Sequence, residues 1–297
     1  MDCREVNNKT LEKLIELKTW DAAWDKAHEG GNGLVHLINV ENKCFYVAKR
    51  EKNVNSTSID TEVAILKKLQ QNPYFQYLKH TFRTGNAVWM ITEKPDGFED
   101  LLSYIDKSKK STFNPTAMYN MALGLKTLHD MGFAHGDIKP ENVLYNDKTQ
   151  EIRFIDFGCS CDGKEILCTP GGTKIYTPPE KSGKNPSVES VKQSDIWALG
   201  VLMYVWEYKH LPYENLRDEF DWISINYENR KRGDNSGWQD MITNWWDNNI
   251  WGQLKINPFN QVLKDLMMSQ PRSLDLIITA YKPKETKPKI SWINKFF

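Results

Sequence analysis

The sequence has no long hydrophobic run, no excess of charge of either sign and no paired cysteine motif. No apolar stretch approaches the length of a bilayer span, which argues against a transmembrane helix. The N-terminal "MDCREVNNKTLEKLIELKTW" is charged from its second residue, so the apolar core of a secretory signal is also missing. Basic and acidic residues balance at 39 each, leaving no global field to draw the chain to nucleic acid or a membrane surface. Five cysteines, an odd number, do not make a disulfide framework. Cys159, Cys161 and Cys168 fall close together but lack C-x-x-C spacing and a nearby histidine, so a metal site is disfavoured. Reduced, partly buried thiols in the cytosol or nucleus are the expectation. Internal repeats and long low-complexity segments are absent as well.

What is present supports a large core. The chain has 297 residues, 40% hydrophobic and 12% aromatic, enough for two domains or one two-lobed domain. Tryptophan is abundant in "GWQDMITNWWDNNIWGQL", yet no Lys or Arg occurs there before Lys255. Helical core or a small groove explains this stretch better than a base-stacking platform, and direct nucleic-acid binding is not expected.

Periodicity organises the chain. Leu11, Leu14, Ile15 and Lys18 share one helical face, expected to pack against the domain that follows, with a partner-binding helix as the alternative. "GLVHLINVENKCFYVAKR", Gly33 to Arg50, alternates around a turn and reads as a hairpin. Ile59, Val63, Leu66 and Leu69 recur at helical spacing, and "NAVWMITEKP" reads as a buried strand stopped by Pro95. In "FNPTAMYNMALGLKTLHDMGF", Asn114 is a cap, Pro115 opens the helix, and Met118, Met121, Ala122 and Leu125 form its stripe. "EIRFIDFG" is a short strand, and helical patterns dominate from Ser194 onward. A strand-rich first third joined to a helical remainder implies an α+β fold of two lobes with a cleft between them.

The chemistry-bearing residues fall where such a cleft would gather them. "HEGGNGLV" is a glycine-rich turn, and Gly30, Gly31 and Gly33, with Val35 beyond, let backbone N–H groups approach phosphate oxygens. Lys49 ends the next strand, and Glu62 on the following helix can hold its ammonium in place. The strongest signal is "HGDIKPENVLYN" followed by "FIDFG". There Asp137 can accept a hydroxyl proton, Lys139 can neutralise a transferring phosphoryl group, and Asn142 and Asp156 can ligate magnesium.

On these motifs the chain resembles a eukaryotic-type protein kinase from about Ala27 to the C-terminus. "GGTKIYTPPE" is similar to the end of an activation segment closed by Glu180, Asp195 in "SDIWALG" to the buried aspartate of a later helix, and Arg272 to the partner of Glu180. The resemblance implies an N-terminal helical extension over residues 1–26 and a kinase domain over 27–297. Its small lobe covers about 27–93, its hinge about 93–98 and its large lobe about 99–297. It also implies ATP and Mg²⁺, with adenine near Glu93 to Pro95 and phosphates under residues 30–35. Lys139, and Thr173 placed seven residues before Glu180, imply serine/threonine specificity. "TEKPDGFEDLLSYI" resembles the hinge of the Pim kinases, and the compactness is similar to the kinases of baculoviruses and other large DNA viruses. Protein substrates are implied, and Glu99, Asp100 and Glu141 would make basic ones favourable.

Some positions depart from the pattern. His28, Asn32 and the Pro178–Pro179 pair replace commoner residues, and Gly136 stands where arginine usually precedes the catalytic aspartate. Without that arginine, a phosphate on Thr169 loses its usual partner, so activity without activation-segment phosphorylation is expected. Two rivals remain. "HGDIKPEN" also satisfies the H-G-D-x-x-x-x-N loop of aminoglycoside and choline kinases, which lack the activation-segment sequence, and a pseudokinase scaffold would have lost one of Lys49, Asp137, Asn142 or Asp156.

Overall fold

The computed structural model describes residues 3–18, 33–41, 43–51, 58–70, 72–85, 87–168, 171–178, 186–212, 247–252 and 254–283. His28, Gly30, Gly31, Asn32, Thr169, Pro179, Glu180 and much of the tryptophan-rich stretch lie outside these residues.

The first lobe is a four-stranded antiparallel sheet in the order β1-β2-β4-β3. β1 (Gly33–Val40) and β2 (Cys44–Glu51) form the expected hairpin, in register from Gly33 opposite Glu51 to Val40 opposite Cys44. β3 (Leu78–Thr84), which the sequence pattern did not reveal, flanks β4 (Ala87–Glu93). Alternation decides the role of each side chain. Tyr46, Ala48, Trp89 and Ile91 point to one face, where they join Leu11 and Ile15 of α1 (Asn8–Glu16) in a buried cluster. Val47, Lys49, Met90 and Thr92 point the other way and line a cavity. α2 (Ser58–Lys68) packs on this second side.

The Asn7 side chain caps α1 by accepting the Lys9 N–H at 2.9 Å. Its apolar face is covered by the chain's own sheet, so the packed-helix expectation holds and that face is not open to a partner. Lys18 falls beyond the helix, in a left-handed conformation at φ 54°.

The cysteine expectation is overturned. Cys3 is joined to Cys44 and Cys161 to Cys168, and only Cys159 is free. Sequence spacing could not reveal the first pair, because the fold brings together residues 41 positions apart. The second pair meets because the chain reverses: the N–H groups of Asp162 and Gly163 both donate to the Ile166 carbonyl at 3.1 Å.

The second lobe is mainly helical. A small antiparallel sheet of β5 (Glu99–Asp100), β6 (Val143–Asn146) and β7 (Glu151–Phe154) lies at its cleft side. α3 (Leu101–Asp106) follows β5, capped by Asp100. In α4 (Pro115–Asp130), Asn114 accepts the Ala117 N–H at 3.0 Å, Pro115 opens the helix, and the expected stripe is fully buried. Each of Met118, Met121 and Leu125 contributes about 1.5–3 kcal/mol by leaving water. α5 (Val188–Tyr208) starts at the Ser187 cap, earlier than expected, and is apolar nearly all round because it runs through the core. α6 (Pro258–Met268) packs on α5, and α7 (Asp275–Tyr281) on α4. No helix among the described residues is long and apolar enough to cross a membrane.

Candidate active site

The two lobes enclose a cavity of about 430 Å³, with Val35, Val47, Lys49 and Thr92 from the first and Asp137, Asn142, Asp156 and Thr173 from the second. Each element delivers its side chain for a local reason. Lys49 reaches the cavity because its strand neighbours Ala48 and Arg50 take the opposite pleat. Its ammonium meets Glu62 Oε2 at 2.8 Å and Asp156 Oδ1 at 2.7 Å. Burial alone would lower the lysine pKa, but the two carboxylates outweigh it and keep Lys49 protonated.

Asp156 occupies a left-handed conformation, φ 62° and ψ 71°, uncommon for a residue with a side chain. The neighbouring contacts hold it there. Phe157 is fully buried, edge-on to Phe75 with ring centroids 5.9 Å apart, and its N–H donates to Glu62 Oε1 at 3.3 Å. Burial would raise the Asp156 pKa, yet the Lys49 charge and hydrogen bond bring it below the ordinary value.

Asp137 stands at the opposite wall. Its Oδ1 accepts from the Thr173 N–H at 2.7 Å and the Thr173 hydroxyl at 2.8 Å, while Lys139 Nζ lies 2.8 Å from Oδ2. Lys139 also donates to the Thr173 hydroxyl at 2.9 Å. Burial pushes this carboxyl up, and Lys139 and Thr173 together hold it below the usual range, so it stays ionised. Asn142 Nδ2 donates to the Asp137 carbonyl at 2.8 Å and to Oδ2 at 3.0 Å, leaving Oδ1 as a potential metal ligand. The loop beneath is held by buried Asp195, which accepts the His135 and Gly136 N–H groups, each at 2.8 Å, and faces His129 Nε2 at 3.0 Å.

Gly136 does more than lack a side chain. Its φ is +82°, and a Cβ there would fall far inside 3.0 Å of the Cys159 carbonyl oxygen. Gly172, at φ +85°, is pressed in the same way against the Gly136 carbonyl. The loop that carries Asp137 thus meets Cys159 and Gly172 backbone to backbone.

Most of the expected site residues that are described come together, but Gly33, Glu93 and Pro95 are not among those lining the cavity. Lys49, Glu62, Asp137, Lys139, Asn142 and Asp156 all line one cavity, with Val35 at its roof. Gly33 begins β1, and Glu93 ends β4. The Lys94 N–H donates to the Phe45 carbonyl at 3.0 Å, and Pro95 has no N–H to offer. Two carboxylates expected at the cleft mouth are engaged elsewhere. Glu99 pairs with Lys107, with Oε1 at 2.7 Å, and Asp100 accepts the Ser103 N–H at 2.8 Å as a helix cap. Arg272 is buried, donating Nε to the Met267 carbonyl at 3.0 Å and lying 4.8 Å over the Trp197 ring, while its expected partner Glu180 is outside the described residues. Sequence reasoning missed Gln76, which lines the back wall and donates to Thr92 at 2.7 Å. It also missed the direct bonds from Thr173 to Asp137, having read Thr173 only as a mark of specificity.

The two-lobed α+β fold thus gathers these groups around its cleft. The family model for the protein kinase domain matches residues 29–272, and the chain belongs to that family. It is 30% identical over 200 residues to a serine/threonine-protein kinase H1 homolog of Pinctada fucata, covering 64% of this chain and 47% of the relative. It is 30% identical over 214 residues to ribosomal protein S6 kinase 2 alpha of Xenopus laevis, covering 69% and 27%. Maternal embryonic leucine zipper kinase of Xenopus tropicalis is 30% identical over 205 residues, covering 67% and 30%. The chain therefore spans from about a quarter to a half of the length of these relatives.

Proposed function

We propose that the chain is a serine/threonine protein kinase that transfers the γ-phosphoryl group of magnesium-ATP to hydroxyls of protein substrates. The observation that carries this reading is the Lys139–Asp137–Thr173 arrangement facing Lys49 and Asp156 across one cavity. Asp137 is ionised and takes the hydroxyl proton as the oxygen attacks. Lys139 lies at that point of attack and compensates charge on the transferring group. Lys49, oriented by Glu62, holds the α and β phosphates. The oxygens of Asn142 and Asp156 are hard ligands that would hold magnesium. When bound, that ion neutralises charge on the phosphates.

The Pim-like reading of the hinge is supported by its missing donors. Pro95 has no N–H and that of Lys94 is taken, so adenine is held at the main chain by the Glu93 carbonyl. The viral resemblance has no further support. A preference for basic substrates rests on exposed Glu141 beside the catalytic loop, since Glu99 and Asp100 have partners within the chain.

The close packing at Gly136 supports activity without activation-segment phosphorylation, because neither room nor charge exists there for an arginine–phosphate pair. The test is to treat the purified protein with phosphatase, or to change Thr169 to Ala, and measure initial rates of phosphate transfer to myelin basic protein. Rates are expected to be unchanged. A fall of about tenfold, the contribution of a lost charge-assisted contact, would refute it.

A further inference from the structure

We propose that the Cys161–Cys168 bridge is a positioning element for catalysis, locking the activation segment onto the catalytic loop in place of an arginine–phosphate pair. This rests on the kinase reading above and goes beyond it by naming what orders the segment.

Two attachments join the segment to the loop that carries Asp137. Upstream, Cys161 and Ala134 exchange backbone hydrogen bonds of 2.9 and 3.1 Å, three residues before Asp137. Downstream, Gly172 abuts the Gly136 carbonyl and Thr173 binds Asp137. Cys161 itself makes the upstream attachment, and the bridge ties Cys168 back to it, closing the turn of residues 162–167.

The closed turn is built to hold its shape. Asp162 Oδ1 accepts the N–H groups of Lys164 and Ile166, each at 2.8 Å. Cys161 and Cys168 are buried with Ala134 and Val191, and Ile166 and Val188 pack around them. Lys68 at the end of α2 reaches Glu165 at 2.7 Å, linking the turn to the helix that carries Glu62. This last contact is exposed and weak on its own. With the bridge open, the turn regains conformations that it lacks when closed. Gly172 and Thr173 then lose a fixed approach to Asp137. Lys49, Glu62 and Asp156 keep their own contacts, so the bridge acts on the protein-substrate side of the reaction.

Opening is a two-electron reduction by a dithiol. One reductant thiolate attacks a bridge sulfur, breaking the Cys161–Cys168 bond and forming a mixed disulfide. Its second thiolate then closes the reductant's own disulfide, leaving thiols on both cysteines. Oxidised glutathione reverses the process by exchange.

The experiment uses the full chain, with dithiothreitol as reductant and myelin basic protein as substrate. A non-reducing peptide map of the native protein should show residues 161 and 168 cross-linked. Reduction, or the Cys161→Ser/Cys168→Ser double variant, should lower kcat about tenfold or more, as expected when a catalytic group loses alignment. The KM for ATP should move less than about twofold, because nucleotide contacts persist. Hydrogen exchange should rise across residues 159–172, and oxidised glutathione should restore the reduced native protein but not the double variant. A Cys3→Ser/Cys44→Ser variant should keep the reductant response, excluding the other bridge as its source. Free alkylation of both cysteines in the native protein would overturn the proposal, as would unchanged kcat on reduction. A parallel rise in the KM for ATP, or loss of folded far-UV signal, would also overturn it by revealing a general structural role. Absence of phosphate transfer in every redox state would overturn the kinase reading itself, and this inference with it.

Discussion

Replacing Gly136 by alanine adds one methyl group at the point where the catalytic loop touches the activation segment. Two costs follow from the geometry. An L-residue at φ +82° sits in the left-handed region, at roughly 1–2 kcal/mol. The new Cβ would also lie far inside 3.0 Å of the Cys159 carbonyl, a backbone atom that cannot rotate away. Normal separation requires the two chains to part by on the order of 1 Å, since comfortable contacts lie near 3.5 Å. Overpacking of this kind costs about 1–3 kcal/mol. The total, about 2–5 kcal/mol, is within the 5–15 kcal/mol margin of a typical domain, so the protein should remain folded. Activity should suffer more. Asp137 is the next residue, and displacement of a catalytic group by 1 Å costs about 100-fold, or roughly 2.7 kcal/mol. The assay is kcat for phosphate transfer at saturating ATP, alongside thermal unfolding. Gly85→Ala is the control: its φ is also positive, at +57°, but nothing lies within 4 Å of the added Cβ. It should cost only about 1–2 kcal/mol and leave kcat unchanged. Wild-type kcat in Gly136→Ala would refute the argument that backbone apposition registers Asp137.

Asp156→Ala should lower turnover by several orders of magnitude while the fold persists, because catalysis at this site is positioning plus charge compensation, and steady-state kinetics with circular dichroism checks both. Thr173→Ala removes the hydroxyl that joins Asp137 to Lys139 and should reduce kcat about tenfold, with Thr173→Ser restoring it. The same change should move the acid limb of the pH–rate profile upward, since burial alone raises the Asp137 pKa and the hydroxyl opposes that. The sign for stability is parallel: with the folded pKa depressed, the contribution of Asp137 is complete above about pH 3.9 and lost as the pH falls through the folded value. Leu11→Ala should destabilise the first lobe by about 2–5 kcal/mol, measured by denaturant titration, without changing kcat, because Leu11 packs against the sheet face turned away from the cavity.

Much of the protein was legible locally. A strand exposes alternate residues, so the alternation from Gly33 to Arg50 marked the β1–β2 hairpin before any contact was known. The Asn114–Pro115 start and the Met118–Leu125 stripe marked α4, because caps and helical spacing are local properties. The grouping of Asp137, Lys139 and Asn142 at one cavity was legible for the same reason: they lie within one loop, where spacing along the chain approximates spacing in space. Other features belong to the tertiary structure alone. β3 lacked a clear alternation, and pairing with β4 made it a strand. The sequence contained Gly136 but could express only the absence of an arm. The contact with Cys159 and Gly172 joins segments separated along the chain, and its closeness appears only once they meet. Cysteine pairing was hidden in the same way, because a disulfide depends on distance and direction between Cβ atoms, not on position in the sequence. The engagement of Glu99 by Lys107, and of Asp100 by a helix start, likewise depended on where α3 turns after β5. Local pattern thus determined most of the elements and the residues they carry to the cavity. Long-range contact decided which segments are held together, as where Gly136 meets Cys159 and Gly172.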